Sequence, residues 1–327
     1  MDFGRSGRVH LSDRQRGADA TAVGQLLLFL PTFVVSLLIV MAVSYALLPN
    51  VGWVVVLLWL VSGALAFHRP TEGAFARHLL NLRYPTPRER ARLEPVWREV
   101  TARAGVEGRA YELWIEESDE LNALAAAGHI VGVTRFSVEN LPNGHLAAVL
   151  AHELGHHVGG HAWSSLLGEW YAVPGRLAWA AIRKLTRLGI TIGRRLNGCL
   201  ALVILLVVGG FVLAFALSYW FVILVLIVAP YLLAAVGRRA ELRADQHAAA
   251  LGFGPMLAEV LQMMHKEESG AEEAMTAAFS ARGEAGAFGT VIQAHAGRPG
   301  LLSKLLASHP DFHTRLHHLA PYLGSHS

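Results

Sequence analysis

Cysteine is almost missing from this chain. Cys199 is the single one in 327 residues, so no intramolecular disulfide can form. Charge is sparse too, at 16% of residues, and it is unevenly spread. Asp, Glu, Lys, Arg and His are all absent from Ala20 to Phe67 and again from Leu196 to Gly237. Soluble core helices rarely run past about 40 residues without a charge, whereas one bilayer span needs about 20 apolar residues. Each run is therefore expected to be a membrane-embedded helical hairpin, giving four predicted spans. Pro49-Asn50-Val51-Gly52 is a good turn for the first, because Pro and Gly punctuate helices. The second has no strong turn: Ser218-Tyr219-Trp220 near its midpoint competes with Gly209-Gly210. Met1 to Asp19 is polar and the apolar run after it is far longer than an h-region, so a cleavable signal peptide is not expected. The spans hold no ionisable ligand apart from Cys199 and the tyrosines, which argues against an ion path.

The expected organisation is a polar N-terminal segment (1–19), a transmembrane hairpin (20–67), a first extramembrane part (68–195), a second hairpin (196–237) and a second extramembrane part (238–327). Basic residues crowd the ends of both hairpins. Arg5, Arg8, Arg14 and Arg16 precede the first, and Arg69, Arg77 and Arg83 follow it. Arg183, Lys184, Arg187, Arg194 and Arg195 precede the second, and Arg238, Arg239 and Arg243 follow it. The positive-inside rule places all four flanks in the cytoplasm. These flanks account for the net charge of +3, so no nucleic-acid partner is expected. No internal repeat is visible. Residues 88–104 look helical, with Pro95 either kinking or starting the helix. Tyr111 to Ile115 and His129 to Phe136 are strand-like, and a helix starts near His145. Residues 163–192 mix tryptophans with basic residues and read as a helix riding on the membrane interface. Residues 267–286 read as a mobile loop or weak helix. The fold class is mostly α with a small β-sheet.

His152-Glu153-Leu154-Gly155-His156 carries the chemistry. Histidines at i and i+4 leave one helix face together and can reach one Zn²⁺ at about 2.0–2.1 Å. The glutamate between them is placed to take a proton from a metal-activated water. Zinc normally has a third protein ligand. Glu241 is the best candidate, with Asp245 one turn on to accept the free N–H of a ligand histidine. His157, His161 and His247 are rivals. His309, His313 and His317 recur at four-residue steps and can be read as a second metal face, though caps and solvent-facing residues repeat in the same way.

The order of these motifs adds a resemblance. Asn122-Ala123-Leu124-Ala125, then Ala148-Val149-Leu150-Ala151-His152-Glu153-Leu154-Gly155-His156, then Glu241-Leu242-Arg243-Ala244-Asp245, then His309-Pro310 with Arg315, are interleaved with two hairpins. This arrangement resembles the HtpX family of membrane zinc metallopeptidases, related to the CAAX prenyl endopeptidases, over about residues 23–320. The resemblance implies a gluzincin-type cytoplasmic metallopeptidase domain and one Zn²⁺ per chain. It implies Glu241 as third ligand, and Asn122, Ala123 and Ala125 on an edge strand that pairs with an extended substrate. It also implies membrane-protein quality control.

The expected activity is that of an integral-membrane zinc endopeptidase with Glu153 as general base. Its substrates are expected to be membrane or misfolded proteins. It would sit in the inner or plasma membrane, with the N-terminus and active site cytoplasmic. His309 and Arg315 are candidates for supporting the oxyanion. The alternative is a zinc-dependent scaffold or chaperone without proteolysis, against which an intact Glu153 argues.

Overall fold

The computed structural model describes residues 20–78, 80–126, 128–196, 220–281 and 310–323, with isolated residues between 202 and 218. In their described parts these form two compact units. One contains 20–24, 67–164 and 233–323, and the other contains 25–66 and 165–232.

Ala20–Leu47 (α1) and Gly52–Ser62 (α2) are joined by the expected turn, closed by the N–H of Val51 on the carbonyl of Leu48 at 3.2 Å. Gly52 is needed there: a Cβ would stand 3.1 Å from the Ser44 backbone. Helix α1 is long and apolar enough to anchor the chain in a membrane. Its 28 residues rise about 42 Å. Among the described residues it is the one helix that passes this test by itself. Of the expected second hairpin, residues 220–237 are helical, whereas 197–201 and several positions between 204 and 219 lie outside the described residues. Of the expected loop or weak helix over 267–286, residues 267–281 are helical and the rest lies outside them.

The first unit is built on a four-stranded mixed sheet. Arg69–His78 (α3) precedes it and is pinned to it by the buried Glu72, whose carboxylate meets Nδ1 of His129 at 3.2 Å. Leu82–Arg83 (β1) leads into Pro87–Ala104 (α4), followed by Glu112–Glu116 (β2), Ala123–Ala126 (β3) and Ile130–Thr134 (β4). The strand order is β1-β2-β4-β3, with β2 and β4 parallel and the two outer pairings antiparallel. The central β4 is buried throughout, whereas β3 is a half-buried edge.

Helix α4 starts where its chemistry says it should. Thr86 and Glu89 form a capping box and Pro87 occupies the first turn. Pro95 lies inside the helix rather than at its start. Gly105 ends it at φ 66°. Leu93, Val96, Trp97 and Val100 face the core.

Arg135–Asn140 (α5) and Asn143–Val158 (α6) follow. Helix α6 is the core element of the unit, with every residue from Leu146 to Leu154 buried. His161–Leu196 (α7) is a single helix of 36 residues. The helix expected over 163–192 makes up most of it. From Ser165 on it packs against α1 and α2: Phe33, Trp59 and Tyr171 form an aromatic cluster, and Trp170 Nε1 donates to Ser62 Oγ at 3.1 Å.

Trp220–Ala248 (α8) re-enters the first unit at residue 233. A π-turn over Ala249–Phe253, with Gly252 at φ 87°, connects it to Gly254–Ala281 (α9). Phe253, Leu257 and Leu261 close the core together with Leu319 of Phe312–Leu323 (α10).

Candidate metal centre

Two helices supply the site. Helix α6 presents His152 and His156, and α8 presents Glu241 and Asp245 from its first-unit end. They cross with almost no gap: a Cβ on Gly155 would stand 2.9 Å from the Cα of Ala244. The glycine between the two histidines therefore does structural work, because any larger residue would push Glu241 away from them.

The three side chains converge. Nε2 of His152 and Nε2 of His156 are 3.3 Å apart. Glu241 places Oε2 3.5 Å from the former and Oε1 3.4 Å from the latter. A tetrahedral ion with ligands at about 2.0–2.1 Å has donor–donor edges of about 3.3–3.4 Å; the two imidazole nitrogens are one such edge apart and each faces its own oxygen of Glu241, so the donor set fits zinc. It is the one such cluster among the described residues.

The electrostatics agree. Burial would lower the His152 imidazolium, but hydrogen bonding to Asp245 and Glu241, with the nearby charge of Glu153, pushes it up to about 10. A field that holds a proton so strongly also favours a cation in its place. Asp245, fully buried, puts Oδ1 2.9 Å from Nδ1 of His152. That leaves Nε2 of the same ring for the metal. Glu153 is buried as well, on the same helix as the histidines.

Arg315 on α10 lies at the ligand cluster. It is buried, with Nε and Nη2 bonded to Asp245 at 2.8 and 2.6 Å and Nη1 3.7 Å from Glu241. It braces Asp245, the carboxylate beside the ring of His152. His309, the other candidate for supporting the oxyanion, lies outside the described residues.

The rivals for the third ligand have other occupations. His157 is buried and donates from Nε2 to the carbonyl of Ile130 at 2.9 Å, and burial pushes its imidazole down to about 4. Nε2 of His161 is 2.7 Å from Oγ1 of Thr21. His247 is not part of the cluster. His313 and His317 are exposed on α10.

Asn122 fixes the start of β3. Its carbonyl accepts from the N–H of Thr134, and its Oδ1 accepts from the N–H of Ala123 at 2.9 Å. β3 packs against α6, so the edge lies beside the histidine helix. In the antiparallel ladder the Asn122–Thr134 bond makes 124 and 126 the inward-bonded positions. The backbone groups of Ala123 and Ala125 then point away from β4. No described strand pairs with that outer edge.

The model of peptidase family M48 matches residues 87–322. The chain belongs to peptidase family M48. The match takes in His152, Glu153, His156, Glu241, Asp245 and Arg315 together. The family assignment makes the chain a metallopeptidase. No curated protein matches it. Sequence reasoning missed the brace role of Arg315 and the close crossing at Gly155. The Arg-after-His-Pro pattern was visible, but only folding brings residue 315 to Asp245.

Proposed function

We propose that this M48 peptidase is a membrane-integrated zinc endopeptidase that hydrolyses peptide bonds of membrane or misfolded proteins at a cytoplasmic site. The observation that carries the reading is the convergence of His152, His156 and Glu241, with the two Nε2 atoms 3.3 Å apart and each within 3.5 Å of a Glu241 oxygen, and Glu153 on the same helix as the histidines. Bound zinc supplies a Lewis acid for the scissile carbonyl and makes water easier to deprotonate. Glu153 takes the water proton and returns it to the leaving nitrogen. Asp245 holds the ring of His152 in one tautomer, and Arg315 holds Asp245. The outward backbone of Ala125, with the carbonyl of Ala123, pairs with an extended substrate segment.

The hairpin of α1 and α2 anchors the enzyme. Four crossings serve the chain, two from that hairpin and two between His156 and Glu241. The basic flanks of the first hairpin support a cytoplasmic N-terminus and active site. Such a site suits the removal of damaged membrane proteins.

The deciding experiment incubates purified zinc-loaded protein with a detergent-solubilised, destabilised membrane protein. Fragments that a chelator abolishes and zinc restores are expected. An intact substrate after prolonged incubation with zinc-replete protein would favour the non-proteolytic scaffold.

A further inference from the structure

Helices α1 and α7 run side by side in the same direction. Gln25 Nε2 donates to Ser165 Oγ at 2.7 Å. A Cβ on Gly168 would meet Phe29 Cδ2 at 2.2 Å. The N–H of Gly175 reaches Ser36 Oγ at 3.2 Å. The sequence separation is 140 at the first contact and 139 at the last. A constant separation over about three turns means that the two helices rise together. Small residues at these contacts allow the close approach typical of helices packed within a bilayer.

That register fixes depths. Glu169 lies level with Leu30 and Arg176 with Leu37, on either side of the middle of Ala20–Leu47. These two are paired with each other. Arg176 Nη2 donates to Glu169 Oε1 at 2.8 Å, and Nη1 meets Oε2. Around them α7 exposes Val173, Leu177, Trp179 and Ile182. Arg183, Lys184 and Arg187 lie level with Ser44, Tyr45 and Leu48, at the far end of α1.

We propose that α7 is itself a membrane span, parallel to α1, whose outer surface contacts lipid and whose Glu169–Arg176 pair is a self-neutralising ion pair at mid-bilayer depth. The inference rests on α1 being a span. Hydropathy hides it, because two charges interrupt the apolar run. In hydrocarbon a lone charge is costly, and one matched by an opposite charge two turns away is far less so. The basic group Arg183, Lys184 and Arg187 then follows at the end of the span level with the end of α1. The positive-inside rule is a bias over all flanks, and this group departs from it.

The test is cysteine accessibility in the full chain with Cys199→Ala. Single cysteines are placed at Asn50, Thr191 and Glu94, and intact cells are treated with a membrane-impermeant maleimide. Asn50→Cys and Thr191→Cys should label from outside, and Glu94→Cys only after lysis. If Asn50→Cys labels in intact cells but Thr191→Cys needs lysis, α7 does not cross. The anchored-peptidase reading then survives without this inference. If Asn50→Cys is also protected, α1 does not span and both fall.

The ion pair is tested in the Thr191→Cys background. Arg176→Leu should cut outside labelling several-fold by stranding Glu169, and the double variant Glu169→Leu, Arg176→Leu should restore it. Undiminished labelling in the single variant, or loss in the double, would overturn the neutralising role.

Discussion

Asp245 and Arg315 meet in a two-pronged pair, Nε to Oδ2 at 2.8 Å and Nη2 to Oδ1 at 2.6 Å, and the same Oδ1 lies 2.9 Å from the ring of His152. Burial would raise the Asp245 carboxyl, but hydrogen bonds from Arg315 and His152 hold it below the usual carboxylate range. The guanidinium thus keeps a negative charge in place to orient a metal ligand. Arg315→Leu should weaken zinc binding about 10–100-fold, as loss of an outer partner typically does. Arg315→Lys should recover little, since an ammonium cannot make the fork. Glu241→Ala removes a ligand and should abolish stoichiometric zinc at any affinity near wild type. Competition titration against a zinc chelator separates these outcomes. Wild-type affinity in Arg315→Leu would show that Asp245 needs no brace.

The role proposed for Glu153 differs from that of its neighbours, and the difference can be measured. Glu153→Gln should keep one zinc per chain and lose cleavage by about 10²–10⁴-fold, the usual cost of a missing general base. Metal content and turnover must be read on the same preparation. A zinc-free Gln variant would turn Glu153 into a ligand and undo the assignment.

Much of this centre was legible in the sequence because helices convert spacing into geometry. His152 and His156 at i and i+4, and Glu241 and Asp245 at i and i+4, each mark one face of one helix. What spacing does not reveal is how two helices cross. Gly155 looks like any glycine until Ala244 is found beside it. Arg315 is 70 residues from Asp245, and no local pattern predicts that contact. The membrane reading was limited for another reason. Runs without charge point to candidate spans, and α1 is one, but a helix such as α7 that carries Glu169 and Arg176 cannot be placed by composition alone. The order β1-β2-β4-β3 was not legible either, because strand pairing depends on contacts distant in sequence.

Acid should loosen the start of α4. Arg83 grips Glu89 with two bonds of 2.7 Å, and the N–H of Thr86 donates to the same carboxylate at 2.7 Å. The bond from Arg83 is the largest influence and outweighs burial, taking Glu89 from 4.5 to about 2. A folded value below the unfolded one means stability that is complete above about pH 4.5 and is lost as pH falls towards about 2. Arg83 is partly solvent-exposed, so screening reduces the contribution to about 2 kcal/mol at neutral pH. Glu89→Gln should therefore lower unfolding stability in detergent at pH 7 by about that amount and flatten its decline below pH 4.5. Parallel pH curves for the two proteins would remove Glu89 from the acid response.

The edge strand offers the last test, which separates substrate binding from metal binding. Ala125 directs its N–H away from β4, so proline there leaves the β3–β4 ladder whole. Its fixed φ is tolerated on an edge strand. Only the bond to an incoming strand is lost. One hydrogen bond is worth about 1 kcal/mol net, so Ala125→Pro should lower kcat/KM for an extended polypeptide about fivefold. Leu124→Pro would instead remove a bond inside the sheet and should destabilise the unit. Zinc affinity should be unchanged in Ala125→Pro, and a short peptide that does not reach the strand should be cleaved at the wild-type rate. Equal losses on short and long substrates would place the defect in the metal centre. No loss on either would mean that the substrate does not pair with β3.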